Sequence, residues 1–265
     1  MNRYSITNGA RAALLYTSAC LVLLFLVLPI LVIVPISFSA DQYLTFPPSG
    51  LSLQWYRRFF LPPEWRESIW LSVRVAVMST VMTLALGVPG AIALVRGRFP
   101  GKNLVYAILL SPMIVPTIIT GVAIYLFFSK LGLVGSPLAM ALGHTVLALP
   151  LMIIIVSASL QGFDQRLEQA AYSLGAGRLQ TFRYVTLPLI APGVISGTLF
   201  SFLSSFDELI VPLFLSGTSS FTLPVRIWNS VFMQVEPTIA AVSSFLIAIA
   251  VVVLLISHLA QRLRP

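Results

Sequence analysis

The chain has 265 residues, 58% of them hydrophobic and only 9% charged, with a formal net charge of +8 and a mean hydropathy of +0.96. Soluble domains carry about 25% charged residues, and the apolar residues here lie in runs able to cross a bilayer core, which takes roughly 20 residues per helix. A soluble globular protein is thereby excluded. The basic residues flank the apolar runs as orientation signals, and they form no nucleic-acid patch.

The first apolar run, Leu14–Phe38, follows a short basic segment with Arg3 and Arg11. It is too long for the core of a signal peptide and shows no small-residue cleavage site, so a retained first span is expected. Cys20, the single cysteine, lies within it and rules out a disulfide framework or thiolate metal site. Five further spans are predicted near Ser68–Val95, Leu104–Phe128, Leu138–Leu160, Leu189–Ser216 and Thr238–Leu259. Breaks are expected at Gly87–Gly90 ("GVPG") in the second, at Pro112 and Pro116 in the third, and at Pro212 in the fifth. The expected whole is one transmembrane domain covering 1–265, an all-α membrane protein.

Between the first two spans, residues 40–67 mix aromatics, prolines and charges. Trp55, Tyr56, Phe59 and Phe60 suit a short helix at headgroup level. With the N-terminus inside, the inner side holds Arg3, Arg11, Arg96, Arg98, Lys102, Arg166, Arg178, Arg183, Arg262 and Arg264. Arg57, Arg58, Arg66, Arg74, Lys130 and Arg226 fall outside. This bias predicts both termini in the cytoplasm, the 161–188 segment cytoplasmic, and 40–67 and 217–237 on the outer face.

In that cytoplasmic segment, "LEQAAYSLGAGRLQTFRYVTLPL", Leu167, Ala170, Ala171 and Leu174 share one helical face. Gly175 and Gly177 suit a helix-ending turn, a second short helix follows through Leu179 and Phe182, and Pro188 is placed at the start of the fifth span. An amphipathic helix lying on lipid usually carries larger apolar residues and more lysine. The small-residue stripe therefore favours docking into a protein groove.

No catalytic constellation is visible. "GRFPGKN" from Gly97 has one residue too few, and no hydroxyl after Lys102, for a phosphate-binding loop. His144 and His258 lie singly in spans and read as packing or interfacial residues. No catalysis, no metal and no bound cofactor are expected in this chain.

Asp207 and Glu208, in "SFLSSFDELIVPLFLSG", are the informative charges because an acid at a helix centre costs about 2.5–3.5 kcal/mol to insert. They either line a polar pathway, cap backbone freed by Pro212, or face the outer headgroups. Trp55 by itself reads as an interfacial anchor.

"QAAYSLGA…VTLP" resembles the Glu-Ala-Ala loop of ABC-importer permeases, with Ala170, Ala171, Gly175, Val185, Leu187 and Pro188 in register. Gln169 stands where the motif has glutamate, and Glu168 lies one position earlier, about 100° round the helix. "GFDQRLEQAAYSLGAG", "SSFDELIVPLFLSG", "TLPVRIW" and "EPTIAAVSSFLI" extend the resemblance, over nearly the whole chain, to the spermidine/putrescine branch.

The resemblance implies the six-span type I ABC importer permease fold with cytoplasmic coupling helices, in a bacterial inner membrane. It implies ATPase coupling through Glu168, Gln169, Ala170, Ala171, Gly175, Leu187 and Pro188. It also implies a substrate pathway including Ser205, Asp207 and Glu208, with Trp55 matching a family tryptophan. The implied partners are two cytoplasmic ATP-binding subunits holding ATP and Mg, a second and distinct permease subunit, and a periplasmic binding protein. The implied cargo is a polyamine. Met113 departs from the aspartate some polyamine permeases carry there, and iron, phosphonate, opine or amino-acid-like solutes remain alternatives. A self-sufficient secondary transporter would leave the cytoplasmic loop unexplained.

Overall fold

The computed structural model describes residues 3–217, 220–233 and 236–262, with side chains at 12–217, 220–232 and 236–252. The described residues form helices α1 (Arg3–Ser37), α2 (Gln54–Phe60), α3 (Pro63–Arg96), α4 (Lys102–Leu110), α5 (Thr117–Lys130), α6 (Pro137–Gln161), α7 (Arg166–Ser173), α8 (Arg178–Thr181), α9 (Leu187–Phe206), α10 (Ile210–Leu215), α11 (Leu223–Met233) and α12 (Thr238–Arg262). They divide into two compact units, one reaching Trp65 and resuming at Ile227, the other Arg66–Arg226.

In the first unit α12 packs against α1 and α2. None of the apolar window within Ala12–Ser37 is buried; Phe25, for example, is 76% exposed. Water does not tolerate so continuous an apolar surface, whereas hydrocarbon does. Trp55 and Phe59 of α2 are buried, with the Phe59 ring 5.5 Å from Phe245 and 5.7 Å from Trp65. An aromatic cluster around Phe59 thus fixes α2 within its own unit. The preceding loop is gathered around the Asp41 carboxylate. It accepts hydrogen bonds from the hydroxyls of Ser39, Thr45 and Ser49 and from the Ser49 amide.

The second unit is organised by α6 against α9. Gly193, Gly197, Ser201 and Ser205 recur every four residues on the buried face of α9, a small-residue stripe that lets two backbones approach closely. A Cβ at Gly193 would lie 1.8 Å from Ser159 Oγ, and one at Gly197 2.6 Å from Met152 Sδ. One apolar cluster joins Val88 and Ala91 of α3 to Met152, Val156 and Leu160 of α6 and Ile190 of α9. Another joins Val75 of α3, Ala139–Ala141 of α6, and Val211 and Leu215 of α10.

Four described helices are long and apolar enough to cross a membrane: Ala12–Ser37, Pro63–Arg96, Pro137–Gln161 and Arg178–Phe206. The third predicted span is the pair Lys102–Met113 and Thr117–Lys130, bent by 102° between Pro112 and Pro116. The sixth begins α12, but side chains beyond Val252, His258 among them, lie outside the described residues. Two expected breaks are corrected. α3 runs unbroken through Pro89, because the packed cluster flanking it outweighs one lost backbone hydrogen bond. The break expected at Pro212 falls earlier, at Asp207–Leu209. Pro212 itself sits in the first turn of α10, where its missing N–H has no intrahelical partner to lose.

Candidate functional site

The 161–188 segment begins where Asp164 Oδ1 accepts the Arg166 amide at 2.9 Å, starting α7. Glu168 in its first turn suits the positive end of the helix dipole. The helix ends in a Schellman turn: Ala176 N donates to Ala171 O and Gly175 N to Tyr172 O, both at 3.0 Å. Gly175 has φ +86°, the left-handed conformation that glycine adopts without penalty. The Gly177 amide then donates to Gln180 Oε1 at 2.9 Å and α8 begins.

From there the helix does not restart at Pro188 as expected. It continues through a five-residue π-turn, Phe182–Thr186, into α9, with Leu187 N donating to Phe182 O. A proline inside a helix crowds the carbonyl four residues earlier, here that of Tyr184, and the widened turn relieves that crowding while the helix carries on.

Glu168 and Gln169 part ways as their angular separation requires. Gln169 is exposed, whereas Glu168 is half-buried and turned toward the bundle. One Glu168 oxygen accepts the Thr186 hydroxyl at 2.7 Å, and the other lies 3.6 Å from Arg96 Nη2 at the end of α3. The same nitrogen lies 3.4 Å from Leu160 O, and the guanidinium carbon sits 4.9 Å from the centre of the Phe163 ring. Ala170 and Pro188 are exposed, and Ala171 and Leu187 half-buried. Leu174, which ends α7, is 89% exposed and Leu179 of α8 78%. The apolar stripe thus faces away from its own chain.

The second set of candidates surrounds the break before α10. Asp207 caps the end of α9 and is exposed. Glu208 Oε1 accepts the amides of Ile210 at 2.9 Å and Val211 at 3.3 Å, which commits it to the first turn of α10. Ser205, one turn earlier, is buried and bonded to His144 Nδ1 across 2.7 Å. His144 Nε2 is buried with no hydrogen-bond partner. Trp55 belongs to the other unit, 5% exposed, its indole N–H donating to Ser39 O at 2.9 Å. Among the described residues no group of three His, Cys, Asp or Glu side chains is placed to hold a metal.

Sequence reasoning passed over the roles of Arg96 and Thr186. Arg96 was visible only as one inner-side charge, because the separation of 72 positions from Glu168 leaves no local signal. Thr186 sits inside the Glu-Ala-Ala loop pattern without being one of its fixed residues.

The description "binding-protein-dependent transport system inner membrane component" matches residues 84–265. The chain is 33% identical over 238 residues to the spermidine/putrescine transport system permease protein PotC of Haemophilus influenzae, covering 90% of this chain and 92% of that one. It is also 33% identical over 230 residues to the putrescine transport system permease protein PotI of Escherichia coli, covering 84% and 82%. Its fold matches a chain of a bacterial ABC transporter that imports alginate, with a TM-score of 0.72 at 19% identity, over 100% and 99% of the two chains.

The chain belongs to the binding-protein-dependent transport system inner membrane component family. Its role is that of a non-catalytic permease subunit of an ABC importer, in the type I permease fold.

Proposed function

We propose that this permease imports polyamines of the spermidine and putrescine type, and that its 161–188 segment seats in a groove of a cytoplasmic ATPase. The observation that carries the coupling role is the outward apolar face of α7 and α8. Leu167, Leu174 and Leu179 are exposed there on a short helical pair held rigid by the Schellman turn. The exposed charges between Arg166 and Thr186 are all basic, namely Arg166, Arg178 and Arg183. The fitting groove therefore has an apolar floor and an acidic rim.

In this reading two ATP-binding subunits hold ATP and Mg, and nucleotide-driven closure moves α7. A second permease subunit completes the pathway and a periplasmic binding protein delivers substrate. Both chain termini and the coupling segment lie in the cytoplasm, with residues 40–67 and 217–237 outside. The polyamine assignment draws on the two permease relatives that span most of the chain. Fixed negative charge along a route concentrates and guides a diffusing polyamine cation. Asp207 fills that role, since Glu208 is occupied by backbone amides.

The test is uptake of radiolabelled putrescine and spermidine in cells stripped of their own polyamine importers and given the full gene set of this transporter. Saturable, ATP-dependent uptake is expected. Absence of uptake of either amine, with the assembly intact in the membrane, overturns the substrate assignment.

A further inference from the structure

We infer that Arg96 is a positioning residue that clamps the coupling segment to the membrane bundle, so that motion of α7 reaches α9 without slack. The inference rests on the reading of this segment as the ATPase-docking element and adds to it the part that transmits the movement.

Three observations converge on Arg96. First, it ends a helix whose inner stretch is fixed: Val88 and Ala91 are locked in a cluster with α6 and α9, so the guanidinium is carried on a rigid stem. Second, it reaches three successive stretches of chain at once. These are the last turn of α6 through Leu160 O at 3.4 Å, the connecting loop through the Phe163 ring at 4.9 Å, and α7 through Glu168 at 3.6 Å. Third, Glu168 hands the connection on by accepting the Thr186 hydroxyl in the π-turn that leads into α9. A planar guanidinium is suited to this, because its donors fan out in a fixed fork.

Exposed ion pairs contribute little because water and salt screen them. Here the two side chains are 19% and 18% exposed, and Arg96 Nε and Nη1 are buried without a hydrogen-bond partner. Glu168 is thus the counter-charge that offsets the burial of this cation, and removing either partner strands the other. Glu168 is also the sole carboxylate on α7. Its inward turn leaves the docking face without an acid and devotes that charge to the clamp.

The test uses the whole importer reconstituted in proteoliposomes, measuring labelled putrescine imported per ATP hydrolysed. Arg96→Gln and Glu168→Gln are each expected to lower that ratio about tenfold while the ATPase still copurifies. The double variant should be no worse than either single one, and Arg96→Glu combined with Glu168→Arg should recover part of the loss seen in Arg96→Glu. A parental ratio in Arg96→Gln, or singles whose losses multiply in the double, overturns the inference.

If Arg96→Gln does not assemble, Arg96→Lys keeps the charge but not the fork, and a parental ratio in it is equally fatal. Spin labels at Ser173→Cys and Leu104→Cys, in a Cys20→Ser background, give a substrate-independent reading. Their distance distribution should broaden in the Arg96 variant, and an unchanged distribution refutes the clamp. Gly175→Asp separates the two levels: if it uncouples while Arg96→Gln does not, the clamp alone falls. If it is also parental, the docking reading falls with it.

Discussion

Thr186 donates its hydroxyl hydrogen to a carboxylate oxygen of Glu168 across 2.7 Å, tying together two residues on opposite sides of the Gly175 turn. That bond adds a side-chain link to the packing of α7 against the π-turn. Because Thr186 is 5% exposed, no water readily replaces the lost partner. Thr186→Val is expected to cost about 1.5–3 kcal/mol, the range for a hydrogen bond to a charged group, whereas Thr186→Ser should be near parental. Thermal unfolding of the purified assembly checks both, and equal midpoints for the valine and serine variants would contradict the assignment.

Gly175 offers a cleaner separation of backbone strain from crowding. A Cβ there would meet no atom within 4 Å, so Gly175→Ala pays only for the left-handed backbone, about 1–2 kcal/mol. Gly175→Asp adds a charge beside the exposed Leu174. We expect the alanine variant to retain transport with a lowered unfolding temperature. The aspartate variant should lose substrate-stimulated ATP hydrolysis. Normal stimulation in the aspartate variant would remove the docking role from this turn.

The two neighbouring acids should respond differently. Glu208→Gln keeps an oxygen for the amides of Ile210 and Val211, so α10 stays capped, while Glu208→Ala loses the cap at a cost of about 1 kcal/mol. Asp207→Asn removes an exposed charge that makes no such backbone bonds, and uptake is expected to fall strongly with assembly unchanged. Parental uptake in Asp207→Asn, measured with labelled putrescine, would take this residue off the cation's route.

Hydrogen bonds from Ser49, Thr45 and Ser39 hold the Asp41 carboxyl well below its ordinary value. A carboxyl whose native value is depressed contributes its full stability above its unfolded value and loses it progressively as the pH falls from there through the native one. Hydrogen exchange at Tyr43–Ser49, corrected for its intrinsic pH dependence, should therefore be slow above the ordinary aspartate range and quicken progressively below it. Asp41→Asn should loosen the loop at neutral pH, with the difference from the parental protein shrinking in acid. Equal protection of the two proteins at neutral pH would refute this.

What the sequence made legible was whatever is written locally. The glycine-ended helix, the outward stripe of Leu167 and Leu174, and the bend between Pro112 and Pro116 all follow from neighbouring residues, and all are present. What it concealed depends on tertiary packing. Pro89 reads as a breaker, yet the cluster around Val88 and Ala91 keeps α3 whole. The burial of Trp55 and Phe59 stays hidden until Phe245, far away in the chain, is seen to meet Phe59. The pairing of Arg96 with Glu168 belongs to the same class, since nothing in the spacing of either residue announces it.

The π-turn at Phe182–Thr186 has a rotational consequence. It accommodates one residue more than an α-helical turn would, and each residue advances an α-helix by about 100°. Deleting one residue there would swing everything downstream by that angle. Gly193 and Gly197 would leave the α6 backbone and Ser205 would swing away from His144. The widened turn therefore acts as a phase-setting key between the elbow and the shaft that follows it, fixing which side of that shaft looks inward.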